Sequence, residues 1–281
     1  MKKQPEERDP KLRELIDYYS TGEEAERLSL AAGPLEFQRT MEILGRYLPQ
    51  PLAVVLDVGG ACGPYTCWLL ERGYEAHLID PVPLHVERAR EAIAGLPDHP
   101  PAGAEVGDAL KLERDDESAD AVLFMGPLYH LTERDDRLAA LREARRVLRP
   151  GGVLFAIGIS RFASLMDGLN RGILDDPDFV EIIRGDLRDG QHRNPTGRWD
   201  YFTSGFFHHP DELEAEVAEA GFRVEALLGI EGPAWALKDF DKCWEEPEQC
   251  ELLLEIIRKV ESEKSLLGIS PHLMVVALKK F

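Results

Sequence analysis

Residues Val54 to Thr66 read Val-Val-Leu-Asp-Val-Gly-Gly-Ala-Cys-Gly-Pro-Tyr-Thr, an apolar run that meets Asp57 and passes into a glycine-rich turn. Gly59, Gly60 and Gly63 carry no Cβ, so the backbone can turn through positive φ and touch a ligand directly. A helix starting at Pro64 points its free N–H groups and positive end at that ligand, which suits a carboxylate or phosphate. The spacing is D-x-G-x-x-x-G, with Ala61 where the dinucleotide fingerprint has its second glycine. Farther along, Asp80 closes the run Glu75 to Asp80. An acidic residue at a strand end can accept hydrogen bonds from both ribose hydroxyls. Taken singly, the glycines also fit tight packing, Asp80 a surface cap, and a third acidic residue, Asp108, a helix N-cap.

In order, these pieces resemble the motifs of the class I S-adenosylmethionine-dependent methyltransferases. The resemblance assigns Asp57, Gly59, Gly60, Ala61 and Gly63 to the cofactor loop, Asp80 with Pro81 to the ribose, and Asp108 with Ala109 to the adenine. The stretch Ala119 to Met125 and the following Gly126-Pro127-Leu-Tyr129-His130 match the fourth strand and the loop beside the sulfonium. Arg145 to Gly152 then matches the helix end and Pro-Gly-Gly turn before the fifth strand. That turn is structural, since proline stops a helix and glycine supplies its exit. Specific motifs cover residues 54–157, and the resemblance is compatible with about 11–281.

Alternating strand and helix patterns are expected to position these residues: strands at 53–58, 75–79, 103–106, 119–125 and 153–159, with helices at 64–72, 83–94 and 133–148. The expected fold is α/β, a Rossmann-like seven-stranded, mostly parallel sheet with helices on both faces and helical lid insertions. Four regions follow: an N-terminal helical lid at 1–50, a cofactor-binding core at 51–159, a substrate lid at 160–209, and a C-terminal part of the core at 210–281. The last carries a helical insertion at 231–270. Within 11–49, Leu12, Leu15, Ile16 and Tyr19 mark one helix, and Leu35 to Leu48 a second after Gly33-Pro34. In the lid at 160–209, Phe162 to Ile173 has helical spacing before a polar stretch, 185–197, read as a long functional loop. The final strand, 272–279, runs antiparallel by resemblance.

A sulfonium methyl is already activated, so the protein chiefly aligns a nucleophile and excludes water. An oxygen or protonated nitrogen acceptor also needs a proton removed, a task suited to histidine. Of eight histidines, His130 falls nearest the expected transfer position, beside Tyr129, and both are catalytic candidates. The competing reading of His130 is a helix-start residue bonded to backbone. His192, Tyr201, Phe206 and His208 are substrate candidates, and Tyr19 and Arg39 are assigned to the cofactor by position. Arg39 with Glu36 meets the methionine carboxylate and ammonium, or else forms a surface i,i+3 pair. No H-x-x-x-H spacing occurs, and no metal is expected.

The formal net charge of −19 opposes binding to nucleic acid. No apolar run approaches the roughly 18 residues of a membrane span, and the N-terminus lacks an apolar signal core, which predicts a cytoplasmic protein. Cysteines 62, 67, 243 and 250 lack zinc spacing and read as free thiols. The expected activity is methyl transfer to an oxygen or nitrogen of a small molecule. Alternatives are a non-catalytic S-adenosylmethionine-binding regulator and a nicotinamide-dependent Rossmann oxidoreductase. Gly126-Pro-Leu-Tyr129 departs from the N/D-P-P-Y/F loop of enzymes that methylate nucleic-acid amines and protein amides. The oligomeric state is not encoded in any recognisable pattern.

Overall fold

Helices α1 (Pro10–Tyr19) and α2 (Gly33–Tyr47) precede the first strand in the computed structural model, which describes residues 10–20 and 32–280. Residues 1–9 and 21–31 of the expected N-terminal lid, and residue 281, lie outside the described residues. Strand and helix then alternate through β1 (Val54–Val58), α3 (Pro64–Glu71), β2 (Glu75–Asp80), α4 (Pro83–Ala94) and β3 (Ala102–Val106). The chain continues through β4 (Ala119–Phe124), the short α5 (Pro127–His130), α6 (Arg134–Val147) and β5 (Leu148–Ser160). Next come α7 (Ala163–Arg171), α8 (Pro177–Asp189), β6 (Gln191–His192), β7 (Gly205–His208), α9 (Pro210–Glu219) and β8 (Phe222–Gly229). Helices α10 (Phe240–Glu245) and α11 (Pro247–Val260) lead to β9 (His272–Lys279).

The parallel strands run β3-β2-β1-β4-β5, with β9 antiparallel to β5 and β8 antiparallel to β9. Their residues split by parity onto two faces. Val55, Leu78, Leu123 and Phe155 pack against α2, α3 and α4, while Leu56, Ile79, Val122 and Leu154 pack against α6 and α9. Both faces are covered, as a parallel sheet requires. Strand order reverses between β1 and β4, which opens a crevice at their carboxyl ends. Among the described residues, no helix is long and apolar enough to cross a membrane.

The sheet has nine strands, not the expected seven. Ile159 pairs with His272 on one edge of β5 and with Phe207 on the other, so β7 occupies the edge that β4 vacates after Phe124. The β6–β7 pair therefore reaches past the crevice. Residues 185–189 of the polar stretch at 185–197 are also not loop but the end of α8. Its start is fixed by Asp176, whose side chain accepts from the N–H groups of Asp178 and Phe179, with Pro177 in the first turn. The insertion at 231–270 packs onto the N-terminal region: Leu254 and Ile257 of α11 share a small core with Leu35 of α2.

Candidate active site at the carboxyl edge of the sheet

A cavity of about 1560 Å³ lies at the crevice. Its floor is the loop after β1, where Gly59 and Gly63 adopt φ of 75° and 83°. A Cβ on Gly59 would lie 2.7 Å from Pro127 Cδ, and one on Gly60 would lie 2.6 Å from the Asp57 carboxyl. The glycines are required by two neighbours as well as by the turn. Ala61 also has positive φ, 48°, so an ordinary side chain occupies a left-handed position here. Its N–H donates to Asp80 Oδ2 at 3.0 Å, which ties the loop to the end of β2.

Asp57 is wholly buried, and Thr66 donates to its Oδ2 at 2.7 Å, while Oδ1 has no partner. Burial pushes its carboxyl up to about 6; the Thr66 hydrogen bond opposes this, and the nearby Asp80 charge adds to it. Asp80 also accepts at Oδ1 from the Val82 N–H at 2.9 Å and from His85 Nδ1 at 3.1 Å. His85 lines the cavity, and its buried Nε2 has no partner. The sequence reading did not single out His85; its place on the first turn of α4, five residues beyond the strand-end carboxylate, was the available signal. Asp108 holds the turn after β3 by accepting from the Leu110 N–H at 2.9 Å. Pro81, Asp108, Ala109, Gly126 and Pro127 all border the cavity.

On the far wall, Tyr129 donates to Met125 O at 2.8 Å, and His130 Nε2 lies 3.0 Å from the Tyr19 hydroxyl. Burial, with a contribution from His85, pushes the His130 imidazole down to about 3, so it is neutral at physiological pH. Phe202 stacks on His130 with ring centroids 5.6 Å apart, and Tyr18 meets Phe202 edge-on. Helix α1 and the segment after β6 thus close over the cavity from opposite sides. Tyr18 donates to Trp199 O at 2.9 Å, and Ser204 donates to Glu14 at 2.8 Å.

Several expected site residues sit elsewhere. Arg39 is fully buried away from the cavity, paired with Glu42 and Glu261, and donates to Ile230 O. Tyr201 donates to Asp176 at 2.6 Å and anchors α8. Phe206 lies beneath the Arg137 guanidinium, 3.6 Å from its ring centroid. His208 bonds to Glu216 at 3.3 Å behind β7. His192 borders the cavity, but its ring nitrogens go to Asp186 at 3.0 Å and Tyr201 O at 2.8 Å. Position along the chain suggested all five, yet each meets an internal acceptor or packing partner first.

The structure instead brings together Glu36 of α2, Glu231 just past β8 and His272 at the start of β9, with one donor atom of each within 4.8 Å of the others. Glu36 and His272 border the cavity. His272 Nδ1 lies 2.5 Å from Glu231 Oε1, a hydrogen-bond distance at the position a shared cation would need.

Comparison with known proteins agrees with this architecture. The family model for a methyltransferase domain matches residues 55–152. An uncharacterised methyltransferase of Mycobacterium tuberculosis is 36% identical over 113 residues, covering 40% of this chain and 42% of that protein, so the match spans under half of the relative's length. The ubiquinone/menaquinone biosynthesis C-methyltransferase UbiE of Caulobacter is 31% identical over 212 residues, 69% of this chain and 77% of that protein. A solved S-adenosylmethionine-dependent methyltransferase from Methanosarcina mazei shares the fold with a TM-score of 0.60 at 18% identity, over 85% of this chain and 97% of that one. The chain belongs to the class I S-adenosylmethionine-dependent methyltransferases, and its cofactor is S-adenosylmethionine.

Proposed function

We propose that the protein transfers the methyl group of S-adenosylmethionine to an oxygen or nitrogen of a small molecule. The observation that carries this reading is the size and closure of the cavity. Its volume of about 1560 Å³ exceeds the roughly 300–1,000 Å³ of ordinary ligand pockets, which leaves room for an acceptor beside the cofactor. A regulator that only sensed the cofactor would not need α1 and the segment after β6 to meet above that extra space.

The cofactor supplies an activated methyl; the chain supplies position and dryness. Asp80 is assigned to the ribose hydroxyls, since its Oδ2 accepts one hydrogen bond from Ala61 and retains a second lone pair. Asp108 is assigned to the adenine amino group. The loop from Gly59 to Gly63 offers main-chain N–H groups to the rest of the cofactor. Tyr19, Tyr129 and neutral His130 are read as the wall that orients the acceptor.

A carbon acceptor is the second reading, favoured by the C-methyltransferase relative. It fits the same cavity if a ring hydroxyl of the acceptor ionises and raises electron density at carbon. The net charge of −19 speaks against nucleic acid as the acceptor. Calorimetric titration with S-adenosylmethionine, S-adenosylhomocysteine and NADH, followed by an acceptor screen with labelled methyl groups, tests the proposal. Micromolar binding of the first two and labelled phenols or amines are expected. NADH binding alone would overturn the reading.

A further inference from the structure

Resting on that function, we infer that His272, oriented by Glu231, is the base that takes the acceptor's proton. Glu231 is built to hold an imidazole. Its Oε1 faces His272 Nδ1 at 2.5 Å, and Oε2 accepts from the His272 N–H at 3.2 Å, while Ser270 Oγ lies 3.0 Å from Oε2 and 2.8 Å from His272 O and shares its single proton between them. Ser270 is itself fixed, because its hydroxyl oxygen accepts from the N–H groups of Glu231 at 3.2 Å and Gly232 at 3.1 Å. A carboxylate held by the backbone N–H and the imidazole N–H of the same histidine is the orienting half of a base–carboxylate pair.

The proton on Nδ1 fixes the tautomer, which places the ring's lone pair on Nε2. Glu36, with Oε2 3.7 Å from Nδ1, adds a second negative charge that favours the imidazolium formed on proton uptake. Both Glu231 and Glu36 are nearly inaccessible to water, so their effect on the ring is weakly screened. The ring stands on the cavity wall with Ile157, at the end of the central strand β5. It lies across the sheet edge from His130, whose burial leaves it too weak a base for this task near neutral pH.

The step balances without a further reagent. The acceptor's O–H or N–H bond breaks and its proton passes to Nε2 of His272. The released electron pair bonds to the methyl carbon, and the carbon–sulfur pair stays on sulfur as a neutral thioether. The imidazolium then returns its proton to solvent.

Two measurements on the full chain test this. In ¹⁵N-histidine NMR with S-adenosylhomocysteine bound, assigned with His272→Gln, neutral His272 should carry its proton on Nδ1, and Glu231→Leu, which leaves no acceptor, should remove that preference. A proton on Nε2 in the wild type would overturn the inference. In turnover with labelled methyl groups and a series of substituted phenols, His272→Gln should lower kcat about 10²–10⁴-fold for un-ionised phenols and much less for those already ionised, with S-adenosylhomocysteine affinity unchanged. Equal loss across the series, or turnover that needs a divalent ion and is abolished by a chelator, would overturn it. A wild type that labels no phenol or amine would count against the acceptor proposed above, and the tautomer would then decide on His272 alone.

Discussion

Asp80 joins three parts of the site, the cofactor loop through Ala61, the start of α4 through Val82, and His85. Replacing it with alanine removes a charge-assisted acceptor for the ribose and three internal hydrogen bonds. Cofactor affinity should fall by roughly 1.5–3 kcal/mol, the range for hydrogen bonds to a charged group. Calorimetry checks this, and unchanged affinity would remove Asp80 from the site. Asp57 acts on stability instead. Its folded pKa near 6 stands above the unfolded value of about 3.9, so it contributes fully below that lower value and the contribution is lost as pH rises through about 6. Asp57→Asn keeps an acceptor for Thr66 without the charge. The variant should therefore gain about 2–3 kcal/mol over wild type between pH 4 and pH 7, with a plateau above. Parallel unfolding profiles across that range would show that Asp57 is not strained by its charge.

Among the elements, α6 and α9 are joined by Arg137 and Glu216, whose two hydrogen bonds of 2.9 and 2.7 Å form a buried fork. Burial works against the Glu216 charge, but Arg137 and His208 outweigh it and hold the carboxyl down to about 2. Arg137 also donates to Leu131 O and Thr132 O, which carries the pair's rigidity to the segment after His130. Glu216→Ala leaves a buried guanidinium uncompensated and should cost about 3–5 kcal/mol in chemical denaturation. A loss below 1 kcal/mol would mean that water reaches Arg137. The helices and strands of the core were legible from apolar periodicity and from Pro64, Gly63 and the Pro-Gly-Gly turn. Strand β7 was not, because four consecutive buried residues show no alternation. Helix α8 carried a readable start in Asp176-Pro177, but its polar end resembled loop. The meeting of Glu36, Glu231 and His272 was beyond local pattern, since three separate elements supply it and only the closed sheet brings them together.

At the scale of the whole molecule, the cavity is bounded by segments from both ends of the core. Helix α1 reaches it through Tyr19, the segment after β6 through Ser204, and the C-terminal strand through His272. Outside the loop contacts, α1 is held over the cavity by the Tyr19–His130 bond and the packing of Tyr18 on Phe202. An isolated helix of ten residues is marginal in water, so α1 depends on those contacts. A ligand that fills the space beneath should consequently stabilise the fold and protect α1 together. At 100 times its dissociation constant, S-adenosylhomocysteine should add about 2.7 kcal/mol to global stability. Hydrogen exchange of α1 should slow in the same sample, and NADH should do neither. Tyr19→Phe separates the two effects: the midpoint gain on ligand addition should survive, because the cofactor loop and Asp80 are intact, while protection of α1 falls as the His130 contact is lost. If α1 is equally protected in the variant, its closure rests on aromatic packing with Phe202, and the hydroxyl bond contributes nothing to the lid.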